Sequence, residues 1–325
     1  MSSKEKLRGK KLLDKELQLV SYDGRDRIVS SHELAEELKK TDDSIFKIPT
    51  GVESLDRILG GGFEAGELIV VTGPTGEGKT TLLMSITKNM AEKETNSVWF
   101  TLEVTPRQFL QKLMKASDAE NPKLPLFYIP RAGVEDVDED YTKKWEQEHR
   151  RKYEMIDWIE DRIIEAKVKV EKENKQLKVV FIDHIHMIFS LAQVSRNVSL
   201  EIGDMVAKIK EMAITHNLAI CLIAHSKDPD SSSTRELRKE DIRDSGLISR
   251  LADTIIGVWR IKNSNDGTKT RREEIDEGDN KAKVRIFKNR RMGTLGFFCM
   301  YHVDHYMTEE AVDPFANTAF GDMDV

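Results

Sequence analysis

Cysteine, proline and long apolar runs are all scarce in this sequence. Two cysteines in 325 residues leave no disulfide framework. Cys221 and Cys299 match no metal-ligand spacing, sit in apolar strand-like runs, and read as buried reduced thiols. Eight prolines and 19 glycines exclude collagen-like and Pro/Gly-rich disordered classes. No apolar run approaches the roughly 18 to 20 residues of a membrane helix; the longest, such as Leu68–Thr72 and Val179–Ile182, are strand-sized. The chain opens Met1-Ser2-Ser3-Lys4-Glu5-Lys6, charged where a secretory signal carries its apolar stretch, so an intracellular protein with no membrane partner is expected. An excess of one charge is missing as well, except at the end. Met292–Val325 holds six carboxylates and no Lys or Arg, equal to the whole net charge of −6, so the body is balanced. A balanced body offers no compositional support for nucleic-acid binding but does not exclude it, because a ring or groove needs only a local basic surface.

The remaining composition, 39% hydrophobic and 33% charged, is that of a globular protein long enough for a large α/β unit. Three regions are predicted: residues 1–47 as an N-terminal linker, 48–303 as the core domain and 304–325 as an acidic, flexible tail. In the linker, Ser30 or Ser31 caps a short helix whose Leu34 and Leu38 share a face at i, i+4. A helix that short must dock on something. Ile48-Pro49-Thr50-Gly51 marks the boundary, and Val52–Leu59 reads as a second short helix ending at Gly60-Gly61-Gly62. Strands are predicted at Glu67–Thr72, Ser97–Leu102, Leu126–Ile129, Val179–Asp183, Ala219–Ala224, Thr254–Arg260 and Val284–Lys288, with a hairpin partner at Phe297–His302. Near-continuous apolar strands alternating with helices indicate an α/β fold with a mostly parallel central sheet covered on both faces. Between Glu135 and Lys178, Trp145, Ile156, Ile159, Ile163 and Val170 recur at helical spacing and predict one long surface helix with a narrow apolar seam. Lys227–Glu240 and Asn263–Lys281 read as exposed loops.

The chemistry-bearing motif is Gly73-Pro74-Thr75-Gly76-Glu77-Gly78-Lys79-Thr80, which fits G-x-x-x-x-G-K-[ST] between an apolar strand and the helix opened by Thr81. By average composition its fixed positions arise by chance in on the order of one chain in a hundred of this length. Such a loop turns backbone N–H groups toward phosphate oxygens at a helix N-terminus. Lys79 adds a full positive charge for the β and γ phosphates of ATP or a dNTP, and the Thr80 hydroxyl is a Mg²⁺ ligand. Val179-Val180-Phe181-Ile182-Asp183 supplies a second metal-side carboxylate at a strand end, Asp183. His184 follows it rather than Glu, so another residue must polarise the attacking water. Glu103, at the end of the strand Ser97–Leu102, is the candidate base, and a helix-capping acid before Pro106 is the alternative.

The motifs in this order, with Trp99-Phe100-Thr101-Leu102-Glu103, Phe181-Ile182-Asp183-His184, Ile223-Ala224-His225-Ser226-Lys227 and Arg285-Ile286-Phe287-Lys288-Asn289-Arg290, resemble the ring-shaped replicative helicases of the DnaB class, with a RecA-like core. Within that class they look most like phage primase-helicases and the mitochondrial helicase Twinkle. The resemblance runs from about Ile48 to Tyr301. It implies that Gly73, Thr75, Gly76, Gly78, Lys79, Thr80 and Thr81 bind the nucleotide, that Thr80 and Asp183 hold Mg²⁺, that Glu103 activates water and that His225 senses the γ-phosphate. Arg290 matches the arginine finger inserted into a neighbour's site, with Lys288 on the same strand face, although the adjacent Arg291 could serve instead. Arg260 falls where an Arg meets the adenine, a surface salt bridge being the alternative. Loops contacting DNA would be Leu191–Ser199, with Arg196 and Asn197, and Lys227–Gly246, with Lys227, Arg235, Arg238, Lys239 and Arg243; solvated loop charge is the bland alternative.

The resemblance further implies an NTP-driven homo-hexameric DNA helicase that moves 5′ to 3′ on single-stranded DNA and unwinds forked duplex in replication, in the cytoplasm of a bacterial or phage-infected cell or in an organelle. The short N-terminal region leaves no room for a priming domain, and its helix matches the linker helix that packs on the next subunit. The tail, with Phe315 and Phe320, resembles ends that bind a polymerase, a primase or a single-strand-binding protein; a disordered solubilising tail is the alternative. Two other functions compete. A KaiC-like or RadA-like ATPase of signalling or recombination shares Thr50–Asp56 and the glycine triplet, but the helicase is favoured by His225 and by Lys288-Asn289-Arg290 after Asp253. A non-catalytic nucleotide-dependent scaffold is disfavoured by the full motif set.

Overall fold

In the computed structural model of the protein, residues 29–39, 47–101, 106–117, 126–130, 152–185, 198–226, 237–242, 245–261, 281–303 and 306–309 are described. The chain divides into two compact units, Met1–Ile45 and Phe46–Val325. The described part of the first is helix α1, Ser31–Lys39. Ser30 Oγ accepts the Glu33 N–H at 3.1 Å and the Glu33 carboxylate accepts the Ser30 N–H at 2.8 Å, a reciprocal capping box that fixes where the helix starts.

In the second unit a small ribbon, β1 (Lys47–Ile48) against β2 (Phe63–Glu64), brackets helix α2 (Glu53–Ile58). The main sheet comprises β3 (Leu68–Gly73), β4 (Asn96–Thr101), β5 (Leu126–Pro130), β6 (Leu177–Asp183), β7 (Ala219–His225), β8 (Thr254–Arg260), β9 (Lys281–Asn289), β10 (Gly296–Val303) and β11 (Tyr306–Glu309), in the order β11-β10-β9-β8-β3-β7-β6-β4-β5. The strands from β8 to β5 pair in parallel; β9, β10 and β11 add antiparallel. All eight predicted strands are present. Every residue of β3 and β4 is buried, which is why they read as unbroken apolar runs.

Successive residues feed opposite faces. Leu68, Val70, Val98, Phe100, Val180 and Ile182 join one core with α5 (Lys152–Glu171), α6 (Val198–His216) and α7 (Ser245–Leu251). Ile69, Val71, Trp99 and Phe181 join the other with α3 (Lys79–Glu92) and α4 (Pro106–Ser117). Trp99 stacks on Phe181 at 4.7 Å and donates its Nε1–H to Thr87 Oγ1 at 3.0 Å, so the largest buried side chain has its polar atom satisfied. Where α6 meets α7, a Cβ on Gly203 would come within 2.1 Å of Leu247, so the close approach of these helices requires glycine there.

Three expectations change in detail. The seam of Ile156, Ile159, Ile163 and Val170 is buried in the first core, so α5 is a covering helix of the sheet and not a surface helix; its charged faces masked this, and Trp145 lies outside the described residues. Cys221 is fully buried, and burial, then the Glu67 charge, pushes its thiol up; Cys299 is half-buried. In the region read as a tail, Tyr306–Glu309 is the edge strand β11. Met307 is buried with its N–H on Ser85 Oγ at 2.7 Å, and the Glu309 carboxylate accepts the N–H groups of Glu53 and Ser54 at 2.6 and 2.8 Å. Four residues are too few for a legible alternation, and what fixes them is contact with segments more than 200 positions away. Residues 310–325, with Phe315 and Phe320, lie outside the described residues.

Candidate functional site

β3 ends at Gly73 and α3 begins at Lys79, so the glycine-rich segment wraps from a buried strand onto a helix N-terminus. Gly78 makes the turn with φ +105°, and a Cβ there would lie 2.6 Å from the His302 ring; both facts demand glycine. Thr75 and Gly76 form the exposed rim of the loop. Lys79 is buried, and its ammonium donates to the carbonyls of Gly73 at 2.9 Å and Pro74 at 2.7 Å. Thr81, half-buried in the first turn of α3, has its carbonyl bonded by the Ser85 hydroxyl at 2.9 Å.

Asp183 ends β6 and is 2% exposed. The Thr80 hydroxyl donates to its Oδ2 at 3.0 Å, so the two oxygen ligands predicted for Mg²⁺ are side by side. A hydroxyl beside a carboxylate at a helix N-terminus is a hard-oxygen donor set that suits Mg²⁺ bound together with phosphate oxygens. β4 pairs with β6 so that Thr101 lies opposite Asp183, and the chain leaves β4 at that level; Glu103 itself lies outside the described residues. His225 ends β7 opposite Gly73, and its ring packs edge-on to that of His184 with centroids 4.3 Å apart. Sequence reasoning treated His184 only as the residue that is not Glu; the contact makes it the neighbour that orients His225.

On the other side of the loop, the Arg260 N–H bonds the Glu77 carboxylate at 2.6 Å, tying the end of β8 to the phosphate loop. His302, on β10, was missed altogether. Burial first, then the Arg260 charge, holds its imidazole below the ordinary 6.5, against a smaller opposite pull from Glu77, and its buried Nε2 has no hydrogen-bond partner among the described residues. The proton that the unfolded chain takes up near 6.5 is taken up by the folded chain only at lower pH. Stability from this group is therefore intact above 6.5 and is lost as pH falls through the window below it. His302→Gln is expected to show a smaller fall in urea midpoint between about pH 7.5 and pH 5 than the parent; equal falls would assign the slope to other groups.

The second set of predicted residues lies at the opposite end of the sheet. The Arg290 N–H bonds the Asp253 carbonyl at 2.9 Å, and the Asp253 N–H bonds the carbonyl of Leu68, the first residue of β3. Lys79 grips Gly73, the last residue of β3. Five residue steps at about 3.3 Å separate these ends by about 16 Å, beyond the reach of an Arg side chain that is itself anchored. Arg290 cannot serve the phosphate loop of its own chain. Its side chain is 53% exposed, with Nη1 on Asp253 Oδ1 at 2.9 Å and Nη2 on the Arg250 carbonyl at 2.8 Å. Lys288 donates to the carbonyls of Ser249, Arg250 and Ala252 at the end of α7; burial first, then the charges of Arg290 and Lys239, lowers its ammonium.

The choice between Arg290 and Arg291 is decided by burial. The Arg291 side chain is 19% exposed, ion-paired to Glu64 and bonded to the Leu59 and Gly62 carbonyls, and it bolts the β9–β10 turn to the β1–β2 segment. Removing it leaves Glu64 and the buried Glu67 uncompensated. Discounted for partial exposure, Arg291→Ala is expected to destabilise the fold by about 2 to 3 kcal/mol, read as a lower urea midpoint.

Of the residues predicted to touch DNA, Arg196, Asn197, Lys227, Arg235 and Arg243 lie outside the described residues. Arg238 is exposed and Lys239 half-buried at a short 3₁₀ turn, Lys239–Asp241. A bridge between Ser226 and Ile242 closes the loop that carries them, and the Ser226 N–H bonds the Gly73 carbonyl at 3.2 Å. That loop therefore springs from the phosphate site.

Residues 47–310 match the family described as DnaB-like helicase C terminal domain. Over 256 residues the chain is 28% identical to the replicative DNA helicase DnaB of Geobacillus stearothermophilus, covering 73% of this chain and 52% of that one. It is 24% identical over 229 residues to a probable plasmid replicative DNA helicase of Chlamydia trachomatis serovar L2, covering 67% and 48% respectively. The chain thus spans about half the length of the curated relatives it matches. Among solved structures, the ATPase domain of a phage helicase superposes with a TM-score of 0.63 at 17% identity, covering 86% of this chain and 96% of that one. A DnaB-like replicative helicase, studied with primase, superposes at 0.62 and 16% identity, covering 94% and 72%. The fold is RecA-like.

Proposed function

We propose that this chain, which belongs to the DnaB-like helicase C-terminal domain family, is the motor of an NTP-driven replicative DNA helicase that works as a homo-hexameric ring. One observation carries the ring: the phosphate loop and the exposed Arg290 occupy opposite ends of β3, so a complete site needs two copies arranged head to tail. The family match favours this reading over a signalling or recombination ATPase.

In this reading the nucleotide's phosphates lie on the loop 73–81, with Lys79 exchanging its loop carbonyls for β- and γ-phosphate oxygens and with Arg260 and His302 on the base side. Thr80 and Asp183 hold Mg²⁺, which neutralises phosphate charge when bound. Glu103 takes the proton of the attacking water. His225, steadied by His184, faces the γ-phosphate and loses that contact on cleavage. Because the loop 227–241 starts one residue after Ser226 leaves the sheet beside Gly73 and is closed by Ile242, a change at the γ-phosphate is felt by the loop proposed to hold DNA phosphates through Arg238 and Lys239. Contacts of that kind carry no sequence preference, as a translocase requires.

The test is NTP hydrolysis with and without single-stranded DNA, followed by unwinding of a forked duplex, both in the presence of Mg²⁺. Hydrolysis stimulated by DNA together with unwinding supports the reading. Hydrolysis indifferent to DNA, with no unwinding, would move the assignment to the signalling ATPases.

A further inference from the structure

The geometry points to Asp253 as the positioning residue for Arg290, the group that sets the trans-acting guanidinium before a neighbour's nucleotide arrives. Asp253 is 6% exposed and sits just before β8. Its Oδ2 accepts the Leu68 N–H at 2.8 Å and the Lys210 ammonium at 2.6 Å, while Oδ1 takes Arg290 Nη1 at 2.9 Å. The carboxylate is thereby locked to the start of the central strand on one side and holds a half-exposed arginine on the other. Lys210 comes from α6 and also bonds the Gly66 carbonyl at 2.7 Å. The second guanidinium nitrogen of Arg290 is fixed by the Arg250 carbonyl at the end of α7.

Nothing in the nucleotide chemistry uses Asp253, yet a buried carboxylate between two cations is an expensive arrangement to keep unless its geometry does something. What it does here is remove freedom from a side chain that otherwise samples many rotamers. An arginine aimed before the encounter delivers its charge to the transition state without first losing that entropy, and a misplacement of about 1 Å costs on the order of 10²-fold in rate. The opposite role, a latch that withholds Arg290 from the neighbour, makes the opposite forecast: removing the carboxylate charge would raise turnover.

The inference rests on the proposed head-to-tail site, and the experiment separates the two. Asp253→Asn, in the full chain, is expected to bind nucleotide with unchanged affinity and to turn it over about 10- to 100-fold more slowly. When mixed with Lys79→Ala copies, whose Arg290 is intact, its phosphate loops should regain turnover; mixed with Arg290→Ala copies they should not. A general loss of structure would not sort in this way. Asp253→Glu, which keeps the charge for Lys210 and Arg290, is expected to retain more activity than Asp253→Asn and supplies the same readouts if the asparagine protein does not fold. If Arg290→Ala with Lys79→Ala regains turnover but neither Asp253 variant does, or if an Asp253 variant is as fast as or faster than the parent, Asp253 is not the positioning residue. If Arg290→Ala with Lys79→Ala also fails, the fault lies with the head-to-tail reading.

Discussion

The Arg290→Ala protein is expected to fold, bind nucleotide and turn it over about 10³-fold more slowly, since an arginine finger contributes roughly 10³ to 10⁵ in phosphoryl transfer by meeting charge that develops in the transition state. The side chain is 53% exposed and its partner Asp253 keeps Lys210 and the Leu68 N–H, so the fold loses about 1 kcal/mol or less. What makes the result specific is complementation. An Arg290→Ala copy has a sound phosphate loop and no finger; a Lys79→Ala copy has a sound finger and no working loop. In a randomly mixed head-to-tail ring about one interface in four joins a sound loop to a sound finger, so two dead proteins should together recover about a quarter of the parent's turnover. The Arg291→Ala protein, mixed in the same way, should gain nothing, because its defect is in stability. Turnover that never rises at any mixing ratio, or a fully active monomeric Arg290→Ala chain, would remove the shared site.

The nucleotide half of this site was legible in the sequence because its determinants are local. Gly73 to Thr80 is one continuous motif, and Asp183 announces itself by four apolar residues before it. The parallel sheet was legible for a related reason: strands buried on both faces leave unbroken apolar runs that need no knowledge of their partners. The finger half was only partly so. Step-two spacing put Lys288 and Arg290 on one strand face, but nothing local distinguishes Arg290 from Arg291. That distinction belongs to Glu64 and to the Leu59 and Gly62 carbonyls, more than 200 residues away. His302 and β11 escaped notice on the same account, being defined by the approach of an antiparallel edge to Gly78 and Ser85. Asp253 looked like an ordinary acid between a helix and a strand. Its meaning comes from Lys210 and Arg290 arriving from two different elements, which no spacing rule predicts.

Lys79→Ala is expected to abolish measurable turnover while leaving the fold as stable as the parent, and the pairing of those two outcomes is the informative part. Lys79 is 5% exposed, and a buried ammonium is a group whose loss ordinarily harms a fold. Here its partners include the carbonyls of Gly73 and Pro74, on a loop whose rim at Thr75 and Gly76 is open to water. Those carbonyls can be hydrated once the side chain is gone, so the stability change stays within about 1 kcal/mol in either direction. The phosphates have no such substitute. Removing one preorganised donor from a developing anion typically costs about 10² to 10³ in rate, and Lys79 brings a full charge as well as a donor, so a loss of about 10³ or more is expected, with nucleotide affinity weakened at the same time. A parallel measurement of urea midpoint and single-turnover hydrolysis checks both. An equal collapse of midpoint and rate would make Lys79 a structural residue of the loop, and retention of even a tenth of the parent's turnover would mean that the β and γ phosphates are bound somewhere other than the segment between Gly73 and Thr81.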